Sequence, residues 1–327
     1  MKRCLVTGAS GFVGSHLCTR LKADGHWVRG VDIVEPRWGK LDVDEFEKCD
    51  LRSAWDANAA MRDGIEWVFH LAASMGGMGF VGTGENDLEI LTHNMRIDLN
   101  VMEAAGVCSS VERVFYSSSA CVYPDHLQDR PVGVWLKETD AIPASPDTVY
   151  GWEKLLGEIL MLQYGHAGKF SPRIARFHNI MGVPCHWNDG REKLPAAACR
   201  KVAEAARRPS PHQVEIWGDG QAVRSFCHVS DCVEMVVRLM ESNFCLPLNI
   251  GTDECISVKN LYEVVADIAG VFGKVAWVHV DGPEGVRGRN ADLRLMRSVL
   301  EYEPQVSLRD ALTELYGWVE GQGCTNG

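Results

Sequence analysis

Arg3-Cys4-Leu5-Val6-Thr7-Gly8-Ala9-Ser10-Gly11-Phe12-Val13-Gly14 runs from a short apolar strand, through a glycine-rich turn, into a helical pattern that lasts to about Lys22. Glycines in such a turn let the backbone approach a pyrophosphate closely. The helix that follows offers free N–H groups and a favourable dipole to an anion. Residues 26–33 (HWVRGVDI) read as a second strand that carries Asp32 near its end. A carboxylate there accepts hydrogen bonds from a ribose hydroxyl and repels a 2′-phosphate, which favours NAD over NADP. A Gly-x-x-Gly-x-x-Gly run alone is weak evidence. Here strand, turn, helix, second strand and acidic residue come in the order that dinucleotide binding requires. Gly8, Ser10, Gly11, Phe12, Val13, Gly14 and Asp32 are therefore candidate NAD contacts.

Outward from this turn, strands are expected at 66–72 (EWVFHLA), 113–118 (RVFYSS) and 173–177 (RIARF). Residues 86–106 and 149–166 carry apolar positions at helical spacing. Strands alternating with helices imply right-handed crossovers and a parallel sheet. The expected fold class is α/β, a doubly wound parallel sheet with a smaller C-terminal substrate lobe. Residues 179–220 are rich in Gly, Pro, Asn and His, with a helical stretch near 194–207, and 281–292 form a polar loop. Residues 1–178 plus 221–252 are assigned to the dinucleotide-binding domain, and 179–220 plus 253–327 to the substrate lobe.

The net charge of -11 disfavours broad contact with nucleic acid or an anionic membrane, though a local basic cluster can still take a small anion. No stretch approaches the ~18 apolar residues of a membrane span, and no signal-peptide pattern opens the chain. A cytoplasmic location is expected. The 12 cysteines are scattered without a Cys-x-x-Cys pair, so neither a metal site nor a disulfide framework is supported.

Tyr150-Gly151-Trp152-Glu153-Lys154 places a Tyr and a Lys at i and i+4, on one helical face. A nearby ammonium stabilises phenolate, so Tyr150 could act as a general base, with Ser119 bonding the same substrate oxygen. A surface Tyr–Lys pair is common and by itself means nothing. After a dinucleotide-type half and a serine-rich strand end, it resembles the active-site pattern of the short-chain dehydrogenases.

Further motifs narrow the resemblance. Met75-Gly76-Gly77-Met78-Gly79-Phe80, Ser118-Ser119-Ala120-Cys121-Val122-Tyr123-Pro124, Gly190-Arg191-Glu192-Lys193, Trp217-Gly218-Asp219-Gly220, Arg224-Ser225-Phe226 and Gly282 to Asn290 (GPEGVRGRN) occur in order across nearly the whole chain. Together they resemble the GDP-mannose 3,5-epimerase family. That resemblance implies oxidation of C4 of a bound GDP-hexose by Tyr150 and NAD. Cys121 and Lys193 would then exchange protons at C5, with C3 left open, before the hydride returns. C5 inversion gives an L-gulose product, and inversion of both centres gives L-galactose. The resemblance also implies Asp50, Leu51, Leu71, Tyr150 and Lys154 as cofactor contacts. Gly77, Ser119, Ala120, Cys121, Tyr150, Asn179, Glu192, Lys193, Lys201, Arg224, Arg287 and Arg289 are implied substrate contacts.

Lys201, Arg287 and Arg289 are candidate diphosphate partners. Ion pairing of the two arginines with Glu284 or Asp292 is the competing reading. Cys121, two residues after Ser119, is expected to project with it from an extended segment. Two departures bear on the substrate: Ala222 stands where the family has Gln, with Gln221 one position earlier, and the segment 125–137 diverges. A 4-epimerase, a 4,6-dehydratase and a non-catalytic NAD-bound sensor are the other readings. A homodimer through 86–106 and 149–166 is implied by the family.

Overall fold

The structure is a computed structural model, and it describes residues 1–323. Seven parallel strands form the central sheet: β1 Arg3–Thr7, β2 Trp27–Asp32, β3 Glu45–Lys48, β4 Trp67–His70, β5 Arg113–Ser119, β6 Ser171–Phe177 and β7 Pro247–Ile250. Their spatial order is β7-β6-β5-β4-β1-β2-β3. The order reverses between β1 and β4, and a crevice at such a reversal, beyond the carboxyl ends of the strands, is where doubly wound sheets bind ligands.

Both sheet faces are covered, as a parallel sheet requires. Successive residues of β1 go to opposite sides: Cys4 and Val6 join one apolar cluster, Leu5 the other. The first cluster is closed by α1 (Phe12–Ala23), by α6 (Val229–Glu241) and by a short helix, Arg294–Leu300. The second is closed by α2 (Ala54–Ala60), α3 (Asp87–Val107) and α4 (Val149–His166). A separate apolar cluster joins α5 (Leu194–Ala206), α7 (Val258–Ile268), α8 (Leu308–Gly323) and the strand His212–Trp217.

Each strand expected from the sequence is present within a few residues, and so are the helices at 12–22, 86–106, 149–166 and 194–207. The expected strand 66–72 stops at His70. β3 was not expected. Its sequence, EFEK, is three-quarters charged, which suits an edge position half open to water.

Candidate active site

A cavity of about 1130 Å³ opens over the carboxyl ends of the strands. Nearly every candidate residue lines it: Gly8 through Gly14 apart from Ala9, then Asp32, Asp50, Leu51, Leu71, Gly77, Ser119, Cys121, Tyr150, Lys154, Asn179, Glu192, Lys193, Lys201, Arg224 and Arg289. Ala120 and Arg287 do not. Ala120 is buried in a small apolar cluster behind the wall. Arg287 is held by Asp219 through two bonds of 2.8 and 2.9 Å, and lies 3.5 Å from Glu284.

At the turn, Gly8 has φ +71°, and a Cβ on Gly14 would come within 2.1 Å of the Gly8 carbonyl oxygen. Side chains at these positions would displace the helix start, whose first-turn N–H groups have no intrahelical partners. Asp32 accepts from the backbone N–H of Ser10 at 3.0 Å and of Val34 at 3.1 Å. Burial pushes its carboxyl up, although these N–H groups oppose the shift. Backbone cradle and acidic strand end together fit a dinucleotide with a free ribose diol.

Tyr150 starts α4, and Lys154 follows one turn later. Lys154 Nζ lies 5.8 Å from the centre of the Tyr150 ring. Burial pushes the Tyr150 phenol well up, and Lys154 and the Ser119 hydroxyl only partly offset this. The lysine thus acts in the expected direction, favouring the phenolate against the effect of burial. Burial also opposes charge on Lys154, but Glu153 and Asp98 outweigh it and hold the ammonium above the ordinary lysine range.

Cys121 does not lie on an extended segment. β5 ends at Ser119, whose hydroxyl accepts from the Cys121 N–H at 3.1 Å and caps a 3-10 turn over Ala120–Val122. The alternation argument fails at this turn, yet both side chains line the cavity. α4 packs directly on the turn: a Cβ on Gly151 would come within 2.1 Å of the Cys121 carbonyl oxygen. Lys193 caps α5 from across the cavity, and burial pushes its ammonium down, against an attraction to Cys121. Gly77 N–H donates to Arg191 O at 3.1 Å, which ties the glycine loop to the segment carrying Glu192 and Lys193.

Arg224 and Arg289, both in the lining, are register partners in a parallel pairing of Gly288–Arg289 with Val223–Ser225. Arg224 donates to the backbone carbonyls of Val223 and Val286. Burial, then the neighbouring Arg289, pushes its guanidinium down to about 9. A dianionic group would relieve that repulsion. Arg289 Nη1 instead meets Cys121 Sγ at 3.1 Å. Lys201 Nζ lies 5.4 Å above the Trp217 ring and bonds Glu215 O. Glu192 pairs with Arg200 at 3.0 Å, and Asn179, at φ +46°, donates to Ser225 O at 3.0 Å. Ala222 lines the cavity, whereas Gln221 is exposed. Sequence reasoning missed Arg37 and Trp217 in the lining, and Gln128 and Asp147 behind it; only Trp217 lay inside a quoted motif.

Comparisons with known proteins show the family and the fold. The model of the NAD dependent epimerase/dehydratase family matches residues 4–251. GDP-mannose 3,5-epimerase of Arabidopsis thaliana is 42% identical over 319 residues, which are 97% of this chain and 82% of that protein. A structure of MoeE5 in complex with UDP-glucose and NAD superposes with a TM-score of 0.81 at 30% identity, covering 98% of this chain and 99% of that one. A UDP-glucose 4-epimerase from Thermotoga maritima has the same fold, with a TM-score of 0.84, at 23% identity and over 98% and 99% of the two chains.

Proposed function

The chain belongs to the NAD dependent epimerase/dehydratase family, and on that premise we propose that it is an isomerase that inverts C5 of GDP-mannose, with C3 as a second centre. The observation that carries this is the meeting of Cys121 and Lys193 with the Tyr150–Lys154 pair in one cavity, beside the cofactor turn. The relative in Arabidopsis thaliana carries the name of this activity.

Gly8, Ser10, Gly11, Phe12, Val13, Gly14 and Asp32 hold NAD, with Asp50, Leu51 and Leu71 around it. NAD supplies the hydride acceptor for C4 and a positive ring that adds to Lys154 in favouring phenolate. Tyr150 takes the C4 hydroxyl proton while Ser119 holds the same oxygen. A 4-ketone acidifies the neighbouring C–H bonds. Cys121 then serves one face of the ring and Lys193 the other. Burial eases proton release from Lys193, which suits a general acid. Arg224 and Lys201 take the diphosphate. Residues 1–178 and 221–252 carry the cofactor in this reading, and 179–220 with 253–327 the sugar nucleotide.

The proposal includes a homodimer. Leu88, Leu91 and Leu99 of α3, with Trp152, Leu156 and Ile159 of α4, are exposed apolar residues on the two helices named from the sequence. It also includes a cytoplasmic location, where the free thiols found among the described residues suit a reducing environment.

The test is incubation with GDP-mannose in deuterated water, followed by NMR of the recovered sugar. Deuterium at C5, alone or with C3, is expected. Recovery of unlabelled GDP-mannose with no new sugar would rule this substrate out.

A further inference from the structure

Beneath the cavity floor runs a chain of buried polar side chains that none of these steps uses. Thr7 Oγ1 lies 2.8 Å from His70 Nδ1, and His70 Nε2 lies 2.9 Å from Asp98 Oδ1. Tyr116 donates its hydroxyl to Asp98 Oδ2 at 2.8 Å and lies 3.4 Å from Glu153 Oε1. Lys154 Nζ reaches the Tyr116 oxygen at 3.4 Å and Glu153 Oε1 at 3.6 Å. Asn94 donates to Glu153 Oε2 at 3.0 Å, and the Tyr116 hydroxyl stands between the Asp98 and Glu153 carboxyls. None of these side chains is more than marginally exposed. A Cβ on Gly157 would come within 2.0 Å of the Tyr116 oxygen and 2.8 Å of Asp98 Oδ2, so a glycine of α4 makes room for the cluster.

The Lys154 ammonium lies against Glu153, while His70, the other cluster member able to carry positive charge, bonds the far oxygen of Asp98. One ammonium faces two carboxyls shut off from water, and Tyr150 and Cys121 are the next ionisable groups above it. Two buried carboxylates flanking one hydroxyl cannot both ionise cheaply, and that hydroxyl has a single proton, which it donates to Asp98. We propose that Asp98 and Glu153 share one proton near neutral pH, and that this dyad is a positioning device whose charge sets how readily Lys154 and Tyr150 exchange protons.

Burial, then Asp98, pushes Glu153 up to about 7 against the pull of Lys154. Burial opposes ionisation of Asp98 too, but Lys154, His70 and Tyr116 outweigh it and hold that carboxyl below the ordinary range. With one proton the dyad carries a single negative charge, which Lys154 neutralises. Loss of that proton adds a negative charge beneath Tyr150 and disfavours its phenolate. The shared proton therefore helps Tyr150 act as a base.

The kinetic part of the test rests on the epimerase reading; the spectroscopic part does not. Carbon-13 NMR of carboxyl-labelled, NAD-loaded protein is expected to show a buried side-chain carboxyl titrating near neutrality, lost in the isosteric Glu153→Gln. Carboxylates that stay ionised from about pH 5 to about pH 9 would overturn the shared proton. Glu153→Gln fixes the dyad at the single negative charge that the wild type carries below the titration, so the ratio of wild-type to variant kcat/KM is expected to be constant on the acid side and to fall at least about threefold as pH rises through the titration, with KM little changed. A ratio that stays constant throughout, beside a confirmed titration, would leave the dyad structural and overturn its role in tuning Tyr150. Failure of wild-type protein to turn over GDP-mannose would remove the substrate and leave the NMR result to decide the dyad.

Discussion

Arg289 and Cys121, 168 residues apart in the chain, form a charge-assisted contact of 3.1 Å between Nη1 and Sγ. The guanidinium cannot swing away freely, because Gln128 Oε1 accepts from its Nε at 2.6 Å and Asp147 Oδ1 lies 3.2 Å from Nη2. The contact holds the sulfur in one position at the cavity wall. Arg289→Gln is therefore expected to slow epimerisation about tenfold and to leave C4 oxidation within about twofold of the wild type. Deuterium wash-in at C5, set against borohydride trapping of the 4-keto sugar, checks it. Equal losses in the two readouts would mean that Arg289 acts on substrate binding alone.

In the proposed mechanism Cys121 and Lys193 divide the second stage of the reaction between them, and the first stage does not need them. Cys121→Ser and Lys193→Ala should each cut product formation by at least about 100-fold. Both should still yield a 4-keto sugar that borohydride traps. Because burial lowers the proton affinity of Lys193, wild-type epimerisation should fall on the alkaline side at a lower pH than a solvated lysine would set. Loss of trapped ketone in either variant would place that residue in the oxidation step instead.

Much of this site is legible in the sequence because its signals are local. Gly8, Gly11 and Gly14 stand at one spacing between a strand and a helix, and Tyr150 and Lys154 stand one helical turn apart, so spacing together with the order of elements and the family resemblance groups them. Contacts such as Arg289 with Cys121, or Asp98 with Tyr116 and His70, join positions that no local pattern links. Gln128 sits in the divergent segment 125–137, and its importance rests on Arg289, which only the folded chain brings near. The error at Cys121 has a similar origin: alternation holds while a strand continues, and the Ser119 cap ends the strand one residue too soon. β3 escaped because two glutamates and a lysine mask the lone Phe46 that faces the core.

The contact between the two loops that close over the cavity depends on a missing side chain. A Cβ at Gly77 would come within 2.3 Å of Glu192 O, a backbone atom with little freedom to yield. Gly77→Ala should push the Glu192–Lys193 segment outward and raise KM for GDP-mannose about tenfold. Steady-state kinetics, with a thermal melt to show that the fold persists, decides this. A wild-type KM would mean that the loops close independently.

The exposed apolar stripe on α3 and α4 is open to a direct test of association. Leu156 and Ile159 lie on the outer face of α4, and neither contributes to the cavity lining. Leu156→Glu with Ile159→Arg places charges where a second copy would bury apolar surface. Analytical ultracentrifugation is expected to show a dimer for the wild-type protein and a monomer for the variant. Dimers of equal stability in both would move the interface elsewhere.

The acid sensitivity of the fold should trace in part to His178. Its ring is fully buried, with Nε2 2.9 Å from Asn249 Oδ1. Burial, with Arg289 and Arg176 nearby, pushes the imidazole down to about 3, against the bond to Asn249. An unfolded histidine titrates near pH ~6.5. Between those values the unfolded chain holds a proton that the folded chain refuses, so stability falls as pH falls, by up to ~1.4 kcal/mol per unit from this residue. His178→Gln removes the titrating group and keeps a polar side chain for Asn249. The variant starts less stable at alkaline pH, but between pH ~6.5 and ~5 it should lose ~2 kcal/mol less than the wild-type chain. Urea unfolding at a series of pH values measures the difference. Parallel curves for the two chains would assign the acid loss to the carboxylates instead.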